Sequence, residues 1–340
     1  MRAFVITAPG KAGVQETEPP SPGPGEVVVD VHRAGICGTD AEFFSGEMQY
    51  LHEGLASYPV RIGHEWMGSV SAAGDGVDRR WVGRRVTGDT MLGCGACDRC
   101  REGRHHVCAF RTELGVRGGR PGALAEQVAV PVTALRELPD EVDDARGALV
   151  EPGGNALRAV QAAAFRPGCR LLVLGPGTIG VLAAMFARAV GAEVHLMGRA
   201  DRSLPFARSL GFDGVWTSDT LPDLSWDAVI EASSAPQLPA RALELVEPGK
   251  RVVYIGLAGT PSVIDTRALV LKDVTAVGVL GGSGGLDGAI AAYARGDVDP
   301  APLIAATVRL EELAPVLAGE LPDGAGPGPK VHVAIQGSSQ

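Results

Sequence analysis

Residues 171–180 read LLVLGPGTIG, and this run decides the fold of the second half of the chain. Its four apolar residues predict a buried strand, and the glycines after them lead into a long uncharged stretch of helical character. In such a turn Gly175 bends the chain, Gly177 lets a pyrophosphate approach the helix N-terminus, and Gly180 allows helix and strand to pack closely. A chance glycine-rich turn is the alternative, which the order of strand, turn and helix disfavours. The residues expected to contact a dinucleotide are Gly175, Gly177, Thr178, Ile179 and Gly180.

Strand and helix patterns alternate on both sides of this run, which predicts a parallel sheet of about six strands. The first 150 residues differ, because short Val-rich runs separated by Gly and Pro predict an all-β fold. The strand-like run at residues 330–335 resembles that first part. The predicted architecture is α/β with two domains: a β domain at 1–154, completed by 283–340, and a doubly wound parallel-sheet domain at 155–282.

The net charge of the chain limits which classes of molecule it can bind. With 31 Lys and Arg residues against 40 Asp and Glu, the net charge is −9 and no basic stripe is present, which argues against nucleic acid and anionic membranes. The N-terminal apolar run meets Pro9 and Gly10 too early for a secretory signal, and glycine and proline interrupt the uncharged stretch between Arg170 and Arg188. We therefore expect a cytoplasmic protein with a small-molecule partner and no membrane span.

Four of the six cysteines follow the spacing C-x2-C-x2-C-x7-C, at Cys94, Cys97, Cys100 and Cys108. In a chain without an export signal, this spacing favours a metal over disulfides, and the glycines around it let the loop curl. Four thiolates complete a tetrahedral zinc site and leave no position for a substrate. The cluster therefore predicts a structural zinc, against the alternative of four unrelated surface thiols.

A second set of candidate ligands is more dispersed. Cys37 lies in the run GICGTD at 35–40, His64 and Glu65 lie in the run GHE at 63–65, and Glu151 precedes a proline. Taken singly, Cys37 and His64 also suit a core, and Glu151 also suits the first turn of a helix. One Cys, one His and one or two Glu together make a zinc site that keeps a position open for an alcohol oxygen.

The strand after the dinucleotide turn ends in Leu196, Met197, Gly198 and Arg199. It carries no acid where proteins that prefer NAD usually place one for the ribose. Gly198 leaves room for a 2′-phosphate, and Arg199 and Arg202 can pair with it, so NADP is expected beside NAD. Two alternatives stay open: Arg199 is a solvated loop charge, or Asp201 reaches the ribose.

Together these motifs resemble the zinc-containing medium-chain alcohol dehydrogenases, particularly their polyol and sugar branch. The resemblance implies a GroES-like β domain, a Rossmann domain and two Zn²⁺ ions per chain, one catalytic and one structural. It makes Thr39 the hydroxyl that handles the alcohol proton. Where many relatives have a His five residues after the catalytic Cys, this chain has Glu42, which becomes the candidate for the end of the proton relay. The catalytic zinc ligands that the resemblance implies are Cys37, His64, Glu65 and Glu151.

Within that branch the chain is similar to the dehydrogenases that act on 2-deoxy-scyllo-inosamine in aminoglycoside antibiotic biosynthesis. This implies oxidation of a secondary hydroxyl, giving 3-amino-2,3-dideoxy-scyllo-inosose, with NAD(P)⁺ as hydride acceptor and a homodimer or homotetramer as the assembly. The polar run at 42–58 suits a polyhydroxylated substrate, although a solvated loop would look the same.

Three other functions stay open. The first is another zinc sugar or polyol dehydrogenase of the glucose, sorbitol or threonine type. The second is a zinc-free enone or quinone reductase on the same fold, which would not need Cys37, His64 and Glu65. The third is a dinucleotide-sensing binding protein without catalysis, which turnover of any alcohol would exclude.

Overall fold

The computed structural model describes residues 1–199 and 203–335. The chain forms two compact units. Unit 1 contains Met1–Glu151, Pro300–Gly326 and the segment from Lys330, and unit 2 contains Pro152–Asp299 and Pro327–Pro329. Residues 283–299 thus lie with the parallel sheet rather than with the β domain, which differs from the predicted boundary. The reason is local packing, because Leu286 and Tyr293 lie directly against the backbone of Gly154 and Gly153.

The strands in chain order are β1 Arg2–Ala8, β2 Lys11–Glu16, β3 Glu26–Gly35, β4 Glu65–Ala73, β5 Arg85–Gly88, β6 Met91–Leu92, β7 Thr112–Glu113, β8 Gln127–Pro131, β9 Leu135–Glu137, β10 Arg170–Leu174, β11 Glu193–Met197, β12 Gly214–Trp216, β13 Trp226–Glu231, β14 Val246–Tyr254, β15 Thr275–Gly278, β16 Ile304–Arg309 and β17 Lys330–Ala334. The α-helices are α1 Gly38–Ser45, α2 Gln49–His52, α3 Asp98–Arg101, α4 Asp144–Gly147, α5 Val150–Ala163, α6 Thr178–Ala189, α7 Ser203–Ser209, α8 Leu238–Leu245, α9 Thr266–Leu271, α10 Leu286–Arg295 and α11 Leu313–Leu317. Among the described residues, no helix has both the length and the apolar character needed to cross a membrane.

Unit 1 is built on a seven-stranded sheet in the order β16-β17-β3-β4-β5-β9, with β8 also paired to β3. All of its pairs are antiparallel except β16 with β17. The valines of β3 alternate into a core that includes Phe4 and Trp66. The C-terminal strand β17 pairs with β3, so the end of the chain completes the β domain.

Unit 2 contains one six-stranded parallel sheet in the order β12-β11-β10-β13-β14-β15. The strand order reverses between β10 and β13, which is the topological switch point where such folds bind dinucleotides. Helix α6 begins directly after this point and is buried from Gly180 to Ala187, which explains its uncharged sequence. The predicted α/β architecture with a β domain and a doubly wound parallel sheet is confirmed.

Candidate active site and metal centres

The four cysteines of the loop converge on one point. Their sulfur atoms all lie within 4.8 Å of one another, with Cys97 and Cys108 3.7 Å apart and Cys94 and Cys100 4.0 Å apart. Tetrahedral zinc with bonds of about 2.3 Å separates its ligand sulfurs by about 3.8 Å, so this donor set fits zinc. Backbone N–H groups of Ala96 and Cys97 lower the pKa of Cys94 to about 6, which favours the thiolate that a metal binds. We call Cys94 to Cys108 the four-cysteine lobe.

Cys37, His64 and Glu65 form a second group, with one ligand atom of each within 4.8 Å of the others. Cys37 is the N-cap of α1, and Glu65 is the first residue of β4. His64 and Glu65 are buried. The structure therefore brings together three of the four predicted ligands, with a donor set of thiol, imidazole and carboxylate that suits zinc.

Asp40 contacts two members of this group, Cys37 and His64. Sequence reasoning did not single it out, although it ends the quoted run GICGTD. It is fully buried, and its Oδ2 accepts a hydrogen bond of 2.9 Å from the amide of Cys37. Its Oδ1 is 3.8 Å from Nδ1 of His64, and neither atom has a hydrogen-bond partner within the described part of the chain. Burial lowers the pKa of His64, but the charge of Asp40 and contacts with Cys37 outweigh burial and raise it. Asp40 is thus placed to orient the imidazole of His64.

Lys330 is a second residue that sequence reasoning missed. Its Nζ lies 2.7 Å from both carboxylate oxygens of Glu65 and 2.8 Å from the carbonyl of Ile36, and its side chain is 3% exposed. A Cβ at Gly35 would collide with Oε2 of Glu65, so this position requires glycine. Glu65 therefore shares its negative charge with a buried ammonium, which weakens it as a metal ligand.

Glu151 lies near the group, on the first turn of α5, and is buried. Its Oε1 is 3.5 Å from Oγ1 of Thr90, and its charge contributes to the raised pKa of His64. It lies outside the set of three residues whose ligand atoms are mutually within 4.8 Å. The structure thus offers two carboxylates, Glu65 held by Lys330 and Glu151 near Thr90, as the glutamate of the site.

Thr39 and Glu42, the predicted proton relay, lie three residues apart on α1 and so on one face of that helix. Thr39 is half-buried in the first turn, and its hydroxyl has no hydrogen-bond partner among the described residues. Glu42 is exposed. Although the residue is exposed overall, neighbouring atoms partly desolvate its carboxyl, and this desolvation, followed by the charge of Glu47, raises the pKa of Glu42.

The dinucleotide turn between β10 and α6 has a separate structural reason for each glycine. Gly175 has a φ of +99°, which glycine adopts without strain. A Cβ at Gly177 would meet no atom of the described residues within 4 Å, so the backbone is open to a ligand there. A Cβ at Gly180 would collide with the carbonyl oxygen of Gly175, so helix and strand are in close contact. Thr178 and Ile179 form the first, half-buried positions of α6.

A cavity of about 870 Å³ opens beside this turn, and Gly175, Gly198 and Arg199 are among its lining residues. Arg199 is exposed and has no ion-pair partner among the described residues, so its guanidinium is available to an anion. Gly198 has a packing reason of its own, because a Cβ there would lie 2.5 Å from two ring atoms of Pro176. Arg202 and Asp201 lie outside the described residues.

A parallel sheet with a dinucleotide turn, joined in one chain to a β domain with two metal-ligand sets, defines a zinc- and dinucleotide-dependent dehydrogenase. Residues 23–140 match the family model of the alcohol dehydrogenase GroES-like domain, and residues 178–295 match that of the zinc-binding dehydrogenase. The chain belongs to the zinc-containing medium-chain dehydrogenase family.

Individual relatives agree with this assignment. The chain is 36% identical over 296 residues to the L-threonine 3-dehydrogenase of Saccharopolyspora erythraea, covering 83% of this chain and 84% of that protein. The enzyme of the same name from Idiomarina loihiensis is 32% identical, with 78% of this chain and 80% of that protein covered.

Two solved structures with similar folds contain a bound nicotinamide cofactor. A protein from Escherichia coli CFT073, described as a short chain alcohol dehydrogenase complexed with NADH, aligns with a TM-score of 0.89 at 27% identity, covering 98% of this chain and 99% of that one. A protein from Sinorhizobium meliloti 1021, described as a zinc-binding dehydrogenase bound to NADP, aligns with a TM-score of 0.87 at 28% identity, with the same coverage. The predicted enzyme class is confirmed, with Zn²⁺ and NAD(P) as cofactors.

Proposed function

We propose that this enzyme oxidises a secondary hydroxyl of an amino-substituted cyclitol, of the 2-deoxy-scyllo-inosamine type, to the ketone in aminoglycoside antibiotic biosynthesis in the cytoplasm. The observation that supports this substrate is the run at 42–58, which connects the segments of Cys37 and His64. It keeps Glu42, Glu47 and Glu53 exposed, and these acids suit a substrate ammonium group.

In the proposed mechanism the metal ligands, Thr39 and Glu42 act on the substrate hydroxyl and its proton. Cys37, His64 and either Glu65 or Glu151 would hold zinc, which would supply Lewis acidity to the substrate hydroxyl, and a bound nicotinamide would supply the hydride acceptor. Oγ1 of Thr39 accepts the hydroxyl proton and passes it on. Glu42, on the same face of α1, delivers that proton to water, for which its raised pKa is suited. The products are the ketone, one proton and NAD(P)H.

L-Threonine is the second candidate substrate, because relatives at 32% and 36% identity carry the name L-threonine 3-dehydrogenase. It is also a secondary alcohol with an amino group, so the same acids would serve it. It differs from the cyclitol in its carboxylate, for which the run at 42–58 offers acids rather than a cation.

Initial rates on 2-deoxy-scyllo-inosamine, myo-inositol, L-threonine, sorbitol and ethanol, each with NAD⁺ and NADP⁺, test the proposal. We expect the highest kcat/KM for the aminocyclitol, and myo-inositol is the matched control without an amine. A maximum for L-threonine selects the second candidate, and a maximum for ethanol rejects both. With the best substrate, Arg199→Ala should raise KM for NADP about ten-fold or more and that for NAD little, since an Arg–phosphate contact contributes about 1.5 to 3 kcal/mol.

A further inference from the structure

The buried side chain of Asp89 contacts the four-cysteine lobe. His105 lies between the lobe residues Cys100 and Cys108, and its Nε2 is 2.7 Å from Oδ2 of Asp89. The Asp89 side chain is 3% exposed, and its Oδ1 accepts a 2.9 Å hydrogen bond from the amide of Met91. A buried carboxylate is costly without such partners, so the contact with His105 helps to hold Asp89 in place.

His105 is packed against the lobe cysteines themselves. A Cβ on Gly93 would lie 2.7 Å from both Sγ of Cys100 and Cβ of His105, so only glycine allows these two residues to approach here. The amide of Cys108 donates a 3.0 Å hydrogen bond to the carbonyl of His105. Whatever holds Cys100 and Cys108 in place therefore also holds His105.

Thr90, one peptide bond from Asp89, contacts the second ligand set. Its Oγ1 is 3.2 Å from the carbonyl oxygen of His64 and 3.5 Å from Oε1 of Glu151. Its own carbonyl accepts a 3.0 Å hydrogen bond from Leu114, and the side chain is buried. A displacement of Asp89 consequently moves the residue that contacts both His64 and Glu151.

We propose that Asp89 and His105 are positioning residues that couple metal binding in the four-cysteine lobe to the arrangement of His64 and Glu151. The lobe then supports catalysis as well as its own loop, and the coupling is reciprocal, so that each metal site is tighter when the other is filled. This inference rests on the proposed assignment of the two ligand sets and is independent of the substrate.

The test compares His105→Ala and His105→Gln with His32→Ala in the zinc-loaded enzyme. His32 is a matched control, because its side chain is 29% exposed like that of His105 and its Nδ1 lies 3.5 Å from another aspartate, Asp144. Three quantities are measured: the rate at which a chelator removes zinc from the lobe, kcat with KM for NAD(P), and the visible spectrum of Co²⁺ placed at the catalytic site.

We expect His105→Ala to accelerate zinc loss and to lower kcat, each by about ten-fold, with KM for NAD(P) unchanged and the Co²⁺ spectrum altered. His105→Gln keeps a donor for Asp89, so zinc loss and kcat should both return most of the way to their wild-type values. His32→Ala should change neither zinc loss nor kcat. If His105→Ala does not fold, Asp89→Asn keeps the bond to Met91 and is expected to act in the same direction.

Two results overturn the coupling: faster zinc loss with unchanged kcat and spectrum, or no change in any of the three. The proposed function fails by a different result, since it requires wild-type enzyme to contain both metals and to oxidise an alcohol. The coupling is judged only from differences among variants of an active enzyme.

Discussion

Lys330 places one buried ammonium between the two segments that carry Cys37 and His64. Its Nζ contacts both oxygens of Glu65 and the carbonyl of Ile36. The Lys330 side chain is 3% exposed and that of Glu65 is 2% exposed, so water hydrates neither charge. Each ion therefore depends on the other, and removing one leaves a buried charge without a partner.

Lys330→Met is expected to lower the free energy of unfolding by about 3 to 5 kcal/mol, because the Glu65 carboxylate remains buried alone. The double variant with Glu65→Gln removes that charge and should recover most of the loss. Urea unfolding of wild type, both single variants and the double variant gives the coupling energy. Additive losses would contradict the pairing.

His332 is buried two residues after Lys330 in β17, and neither of its ring nitrogens has a hydrogen-bond partner among the residues that the structure describes. Burial, and then the charges of Lys330 and Arg33, lower its pKa to about 3. In the unfolded chain a His takes up its proton near pH 6.5. Between these two values the unfolded state binds the additional proton, so the contribution of His332 makes the protein less stable as the pH falls.

His332→Met should therefore lose less stability on acidification than wild type. Between pH 7 and pH 5 the difference in unfolding free energy between the two proteins is expected to change by about 2 kcal/mol in favour of the variant. Guanidinium unfolding at both pH values measures it. An unchanged difference would mean that His332 is protonated in the folded protein.

The ligand residues and their partners differ in how far sequence reveals them. Cys94 to Cys108 could be predicted because their spacing is local, and Cys37 and His64 because glycines flank them. Lys330 is 265 positions from Glu65, and it reaches that residue only because β17 pairs with β3, which pairs with β4. Register between distant strands has no local sequence pattern, so Lys330 could not be found from the sequence. Asp40, by contrast, was within the quoted run and only its role was missed.

At the scale of elements, two glycines of the turn between β10 and α6 serve different purposes, because one is needed for packing and the other for binding the cofactor. Gly180→Ala places a Cβ against the carbonyl of Gly175, whereas the Cβ of Gly177→Ala has no atom of the described residues within 4 Å. We expect Gly180→Ala to lose about 1 to 3 kcal/mol of stability. Gly177→Ala should stay nearly as stable as wild type but bind NAD(P) several-fold more weakly. Urea unfolding without cofactor and fluorescence titration with cofactor measure the two effects, and wild-type affinity in Gly177→Ala would exclude a pyrophosphate at this turn.

The order of elements was predictable and their grouping was only partly so. Strand and helix periods with glycine punctuation predicted the parallel sheet, because these signals are local. The boundary predicted from the sequence assigns the helix α10 to the β domain, yet this helix lies in unit 2. That grouping depends on the contacts of Leu286 and Tyr293 with two glycines of α5, and such contacts between helices distant in sequence leave no periodic signal.

At the scale of the whole molecule, the two ligand sets predict two zinc ions per chain. Loss of one ion should impair folding, and loss of the other should abolish turnover. Cys97→Ser removes a lobe ligand and should impair folding and solubility, because a structural zinc contributes to folding itself. His64→Ala should leave a folded protein without turnover. Elemental analysis, thermal unfolding and alcohol oxidation measure these outcomes. A zinc content near one would remove one site, and wild-type turnover in His64→Ala would reject the catalytic assignment.

Self-association is the last prediction and follows from the edge of the sheet in unit 2. Within residues 1–199 and 203–335, strand β15 pairs only with β14, so its other edge presents unpaired backbone groups. Leu257, in the loop that follows β14, and Val270 and Leu271, at the end of the helix α9 that precedes β15, are 80%, 73% and 81% exposed. Such an edge favours pairing with another chain, and a two-fold axis lets two copies cover the same surface reciprocally.

We therefore expect a homodimer by light scattering, and the double variant Leu257→Glu with Leu271→Glu should be monomeric, since two like charges would face each other. Phe110→Glu is the control, because Phe110 is 77% exposed but lies in unit 1. A dimer that survives the double variant would place the interface elsewhere, and a monomeric wild type would leave this edge uncovered.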